Sequence, residues 1–223
     1  KILEEMPTKF LNKFKNFHSG NFFLDTTILI IGRYLSLFIN AIRGILLAQY
    51  LGPSIYGIYG TIILAQQQCS SFGLGIREGI VFIISEIDEK NQLFSKYITN
   101  AMYLALIISG TMFLSSLFIP SSIFKLLGEH FLVKYIPIIL KLASLSIFIE
   151  ILKNINRVLN LMVRITLIEN LYALLTLSAT IYIILNGKGI DKLFYLYILI
   201  SCLTLFLYFI PLPKYIVRAL NLE

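Results

Sequence analysis

Residues 25–57 read DTTILIIGRYLSLFINAIRGILLAQYLGPSIYG. The first two-thirds is an apolar run. As a helix, residues 26–49 would extend roughly 36 Å, against roughly 30 Å of bilayer hydrocarbon. Arg33 and Arg43 lie inside this run. A guanidinium near the bilayer centre costs at least a few kcal/mol when it faces lipid. Arg33, Ser36, Asn40 and Arg43 recur at i, i+3, i+7 and i+10 and form one stripe that Leu47 continues. The other faces are Leu, Ile and Phe. Such a stripe belongs beside a wet, anion-attracting space inside a helical bundle. The competing reading is structural: each arginine snorkels or pairs with a carboxylate. The sequence Leu51-Gly52-Pro53-Ser54 then breaks the helix before a second apolar run.

Working outward, the whole chain has the same character. Of its 223 residues 57% are hydrophobic and 14% charged, with a mean hydropathy of +0.82. These values exclude an ordinary soluble domain and indicate an integral membrane protein. The formal charge of +7 is therefore not a nucleic-acid signal. In membrane proteins Lys and Arg gather in cytoplasmic loops and touch anionic lipid. Cys69 and Cys202 are isolated in apolar segments, without metal or redox spacing. His18 and His130 read as an interfacial and a solvated side chain.

Residues 1–24 place Phe10, Phe14 and Phe17 at helical spacing among Lys9, Lys13 and Lys15. That pattern predicts an interfacial amphipathic segment. Residues 25–213 then divide into six expected spans, near 26–49, 55–71, 97–119, 136–156, 165–185 and 193–210. The second is polar for a span: Tyr59, Gln66, Gln67 and, after a loosening at Gly73 and Gly75, Arg77 lie along it. Gly73, Gly75 and Gly79 are wrongly spaced for a dinucleotide loop, and no strand precedes them. Pro120, Pro137 and Pro211 fall at span ends. Residues 214–223 form a short amphipathic tail. Six spans put both termini on one side. Most Lys and Arg residues collect on the side of the N-terminus, which predicts that both ends are cytoplasmic. No strand alternation points to a β-barrel.

The turn Leu51-Gly52-Pro53-x-x-Tyr56-Gly57, the arginine-bearing helix before it, and Phe72-Gly73-Leu74 further on carry a resemblance. The chain resembles the polysaccharide-biosynthesis or O-antigen flippase family, within the multidrug, oligosaccharidyl-lipid and polysaccharide exporter superfamily. An acidic residue often precedes the Gly-Leu pair in that family; Ser71-Phe72 stand here. The resemblance implies an all-α architecture of two six-helix lobes related by pseudo-twofold symmetry around a cavity. This chain corresponds to the N-terminal lobe, with 214–223 as the start of an inter-lobe linker. The second lobe would come from a longer chain or from a second copy.

The resemblance also implies the function. The substrate would be a polyprenyl-diphosphate-linked oligosaccharide, flipped across the cytoplasmic membrane for cell-surface polysaccharide assembly by alternating access. Arg33 and Arg43 would relay the diphosphate, Arg77 would assist its entry, and Ser36, Asn40, Tyr59, Gln66 and Gln67 would replace water around the glycan. Lipids and the second lobe are the expected partners. No metal, cofactor or nucleic acid is expected. A cation-coupled small-molecule exporter would need cavity carboxylates, for which Glu150 and Glu169 are the candidates. A membrane scaffold would not need two arginines on an intramembrane stripe. An enzyme would need a base, a nucleophile or a metal cluster on a sizeable loop, and only Glu86-Asp88-Glu89, beside Lys90, approaches that.

Overall fold

The computed structural model describes residues 19–71, 79, 82–83, 92–118, 134–159, 161–187 and 189–212. These residues form five helices: α1 (Ser19–Ser70), α2 (Gln92–Phe118), α3 (Ile136–Val158), α4 (Met162–Leu185) and α5 (Ile190–Phe209). No strand occurs among them. Four of the helices, α1, α2, α4 and α5, are long and apolar enough to cross a membrane. The chain is therefore an all-helical membrane protein. The expected six spans are not what the described residues give. The first two fall within α1, and the fourth, α3, carries Lys141, Glu150, Lys153 and Arg157 and is not among the four apolar helices. The amphipathic segment before residue 19, the kink at Gly73 and Gly75, and the tail at 214–223 lie outside the described residues.

α1 is not one straight rod. Gly52 has φ 71° and ψ 170°, outside the helical region. A Cβ is disfavoured there, and Pro53, lacking an N–H, both restricts the residue before it and suits the first turn of the next arm. The Tyr56 hydroxyl lies 3.8 Å from where a Cβ on Gly44 would sit. In a straight helix twelve residues span about 18 Å, so the arms 19–51 and 53–70 bend toward each other at Gly52.

α3 is the hub of the bundle and packs against each of the other four helices. Its N-terminus has no side-chain cap, and Pro137 occupies the first turn, where a missing N–H is harmless. α4 and α5 are joined by a tight turn at Asn186 and Gly187. Gly187 has φ 58°, and its N–H donates to the Ile184 carbonyl at 3.3 Å. This left-handed residue closes α4 as expected from Asn-Gly-Lys-Gly.

Two buried clusters hold the helices. At one end Phe94, Ile98 and Ala105 of α2 meet Ile151 and Ile155 of α3, with Ile165 and Tyr208. This packing explains why α2 begins at Gln92 rather than Tyr97: Phe94 must be helical to reach α3. At the other end Leu47, Tyr59 and Ile62 of α1 meet Ile139, Ile183, Phe194 and Tyr197. Lipid tails are as apolar as leucine, so helices in a bilayer associate through close packing of small residues. Ala101 and Ala105 on α2, Ala143 and Ser144 on α3, and Ala173, Thr176 and Thr180 on α4 are all buried. Most buried Ser and Thr hydroxyls are satisfied locally, as in Thr176 Oγ1 to Ala173 O and Thr204 Oγ1 to Ile200 O, whereas Ser95 Oγ finds no partner among the described residues.

The closest approach of α1 to α4 is at Gly32. A Cβ there would overlap the Thr166 methyl group and lie 3.0 Å from Asn170 Nδ2. Gly32→Leu is expected to destabilise the bundle by about 1–3 kcal/mol or more through overpacking, read as a lower melting temperature of the purified protein. At Gly52 no atom lies within 4 Å of the would-be Cβ. Gly52→Ala therefore tests the backbone alone, and a cost of about 1–3 kcal/mol is expected from a conformation that only glycine adopts freely.

Candidate functional site

Burial along the first arm of α1 shows how its polar stripe sits in the bundle. Gly32, Ile39 and Leu47 are buried, Ser36, Asn40 and Arg43 half-buried, and Arg33 exposed. The expected stripe is broad. At about 100° per residue Arg33 lies on one edge and Arg43 on the other, about 80° apart. The buried line through Gly32, Ile39 and Leu47 runs nearer the Arg43 edge. The helix is thus turned so that Arg43 enters the bundle and Arg33 leaves it. Arg33 makes no hydrogen bond or ion pair with another described residue. Asn40 spends its amide on its own helix, donating to Ser36 O at 2.9 Å.

Arg43 meets an aromatic and hydroxylic surround built from three elements. Its Cζ lies 5.6 Å from the centroid of the Tyr197 ring on α5. Tyr59, from the second arm of α1, is buried and stacks on Phe194 at 5.9 Å. Tyr59 neighbours Tyr197, and Ser201 neighbours Tyr172 on α4. Tyr197 Oη is 3.3 Å from Thr180 Oγ1. Thr180 donates its own proton to Thr176 O at 2.9 Å, so Tyr197 is the donor to Thr180. Tyr197, Thr180 and Ser201 escape a reading that looks for charge. The available signal was the run Tyr197, Ser201, Thr204 and Tyr208, at i, i+4, i+7 and i+11 on an otherwise apolar α5; all four are buried.

Of the other expected site residues, Gln66 is half-buried and Gln67 exposed. The Gln67 carbonyl accepts from Ser70 at 2.7 Å and from Ser71 at 3.1 Å. Arg77 lies outside the described residues. The structure therefore brings Arg43 and Tyr59 together around Tyr197 and leaves Arg33 and Gln67 on the outer surface of α1.

The carboxylates stand elsewhere. Lys153 Nζ lies 2.7 Å from Glu169 Oε1 and 3.2 Å from Glu150 Oε1, which ties α3 to α4. At the opposite end of the bundle Lys134 Nζ pairs with Asp191 Oδ2 at 2.9 Å. This bond raises Lys134 above the ordinary lysine range, so the pair persists at neutral pH and is lost as pH climbs past that range or falls far enough to protonate Asp191. Among the described residues neither Glu150 nor Glu169 pairs with an arginine; both pair with Lys153 instead. Among the described residues no group of His, Cys, Asp and Glu is arranged to hold a metal ion.

Because Lys153 serves two carboxylates, removing it leaves two part-exposed acids without their shared cation. Lys153→Met is expected to lower the melting temperature, and Lys153→Met with Glu150→Gln and Glu169→Leu to recover most of the loss. Equal stability of the native chain and the Lys153→Met variant would show that the triad contributes nothing.

Comparison with family models, curated proteins and solved structures finds no match to this chain.

Proposed function

We infer that this chain is one lobe of a lipid-linked oligosaccharide flippase of the cytoplasmic membrane. It would move a polyprenyl-diphosphate-linked glycan outward for cell-surface polysaccharide assembly. In this reading the helical bundle described above is one lobe, and a second lobe completes the cavity. The observation that carries the proposal is on α1. This helix is long and apolar enough to cross a membrane, yet it exposes Arg33, Thr61, Gln67 and Gln68 on its outer surface. Arg33 is flanked on this surface by exposed Ile30, Tyr34 and Leu37, but a guanidinium is costly against lipid, so in this reading its edge of the helix faces a wet space. An exposed arginine there can grip phosphate oxygens with two parallel donors, while amides replace the water around sugar hydroxyls.

The relay expected from Arg33 and Arg43 changes form. The head-group contact is assigned to Arg33, supported by Ser36, Asn40, Gln66 and Gln67, with Arg77 retained for entry. Arg43 and Tyr59 are turned into the bundle and do not serve the glycan directly. A cation-coupled exporter is the weaker reading, because Glu150 and Glu169 already share Lys153.

Arg33 separates the possibilities. In vesicles, Arg33→Lys keeps charge but loses the planar two-pronged donor. Arg33→Lys is expected to cut flipping of a fluorescent diphosphate-linked glycan about tenfold or more, with Arg33→Ala worse, both at normal protein abundance. Normal flipping by Arg33→Ala would remove the substrate assignment. Loss of folded protein in step with flipping would make Arg33 a structural residue.

A further inference from the structure

The charge balance inside the bundle is incomplete. Three carboxylates have described side chains in ion pairs: Glu150 and Glu169 on Lys153, and Asp191 on Lys134. Arg43 has no anionic partner among the described residues. Its Nε is sealed from solvent and donates to nothing. What surrounds it is neutral: the Tyr197 ring face at 5.6 Å and the hydroxyl-bearing Tyr59 and Tyr172, close enough to be coupled electrostatically to the guanidinium. Ring faces and hydroxyl oxygens stabilise a cation partially, by about 1–2 kcal/mol for a desolvated cation–π contact. They do not supply a negative charge, and an uncompensated cation within an apolar bundle costs several kcal/mol.

We propose that Arg43, seated on the Tyr197 ring with the hydroxyl-bearing Tyr172 beside it, binds a compact monovalent anion of chloride type inside this bundle. Arg43 is the one cation coupled to Tyr59 and Tyr172. Inside the bundle one positive charge matches one negative charge. The open side of the guanidinium gives an anion its approach, because only Nε of its nitrogens is both sealed and unpartnered. Three separate stretches meet there: the two arms of α1 and the α4–α5 pair. An anion on Arg43 thus neutralises the junction on which the bend at Gly52 closes. This site is distinct from the head-group contact assigned to Arg33 and stands whether or not the chain flips lipids.

The test uses the full chain in nanodiscs of zwitterionic lipid. Gluconate is exchanged for chloride at constant ionic strength, and thermal unfolding is followed. Chloride is expected to raise the melting temperature saturably, as binding to the native state requires. Arg43→Met should abolish the dependence. Arg43→Lys, which keeps the charge and the fold, should retain it with about tenfold weaker binding, and Lys192→Met, an exposed cation elsewhere, should leave it unchanged. The proposal is overturned by an unsaturable or absent chloride effect in the native chain, or by Arg43→Lys binding chloride as the native chain does. It is also overturned if inorganic phosphate or pyrophosphate protects through Arg43 and chloride does not. None of these outcomes bears on flipping, so the Arg33 assignment is judged separately.

Discussion

An ionised group buried among apolar helices must find a counter-charge or turn to water, and the arrangement of this bundle follows from that constraint. Lysine satisfies it here for the acids. Lys153 sits between Glu150 and Glu169 and so fixes α3 against α4, two helices that otherwise touch little. Lys134 holds Asp191 and pins the start of α5 to the start of α3. Arginine satisfies the constraint differently. Arg164 donates to the Leu207 carbonyl at 2.6 Å, a backbone acceptor left open by the end of α5. Arg33 turns outward and Arg43 lies on an aromatic face. Each cation thus has a separate solution, and the helix rotations are those that make all of them possible together.

Much of this architecture is legible in the sequence. The apolar runs, the break at Leu51-Gly52-Pro53 and the turn at Asn-Gly-Lys-Gly correspond to α1 with its bend, to α2, α4 and α5, and to the left-handed Gly187. What sequence could not deliver was rotation. A stripe defined by polar residues spans nearly a quarter of the helix circumference, and only contact with α4 at Gly32 decides which edge goes inward. Gly32 itself carries no pattern that announces it. Its role appears once Thr166 and Asn170 are seen against it.

The candidate site illustrates the same limit from the chemical side. Charged residues and amides drew attention to Arg33, Arg43, Gln66 and Gln67, because charge is conspicuous in an apolar chain. Tyrosine is not, since it serves as readily at a membrane interface as in a core. Tyr172 and Tyr197 acquire meaning only through Arg43, and their hydroxyls are read as a network only when Thr180 and Ser201 are placed beside them. Conversely Glu150 and Glu169, read as acids available to a cation, already share an ion pair with a lysine one turn away from the first of them.

The end of α5 has a mechanical consequence. Its last carbonyls are held from two sides. Arg164 of α4 reaches Leu207 O, and Asn156 of α3 donates to Tyr208 O at 3.1 Å, with Tyr208 and Leu212 buried beneath. A helix terminus normally frays first, since its final acceptors have only water. Here tension applied to the chain after Leu212 does not peel α5 open turn by turn. It is delivered through two side chains to two neighbouring helices, so a load at this point moves the bundle as a lever moves on its fulcrum rather than unravelling one strut of it.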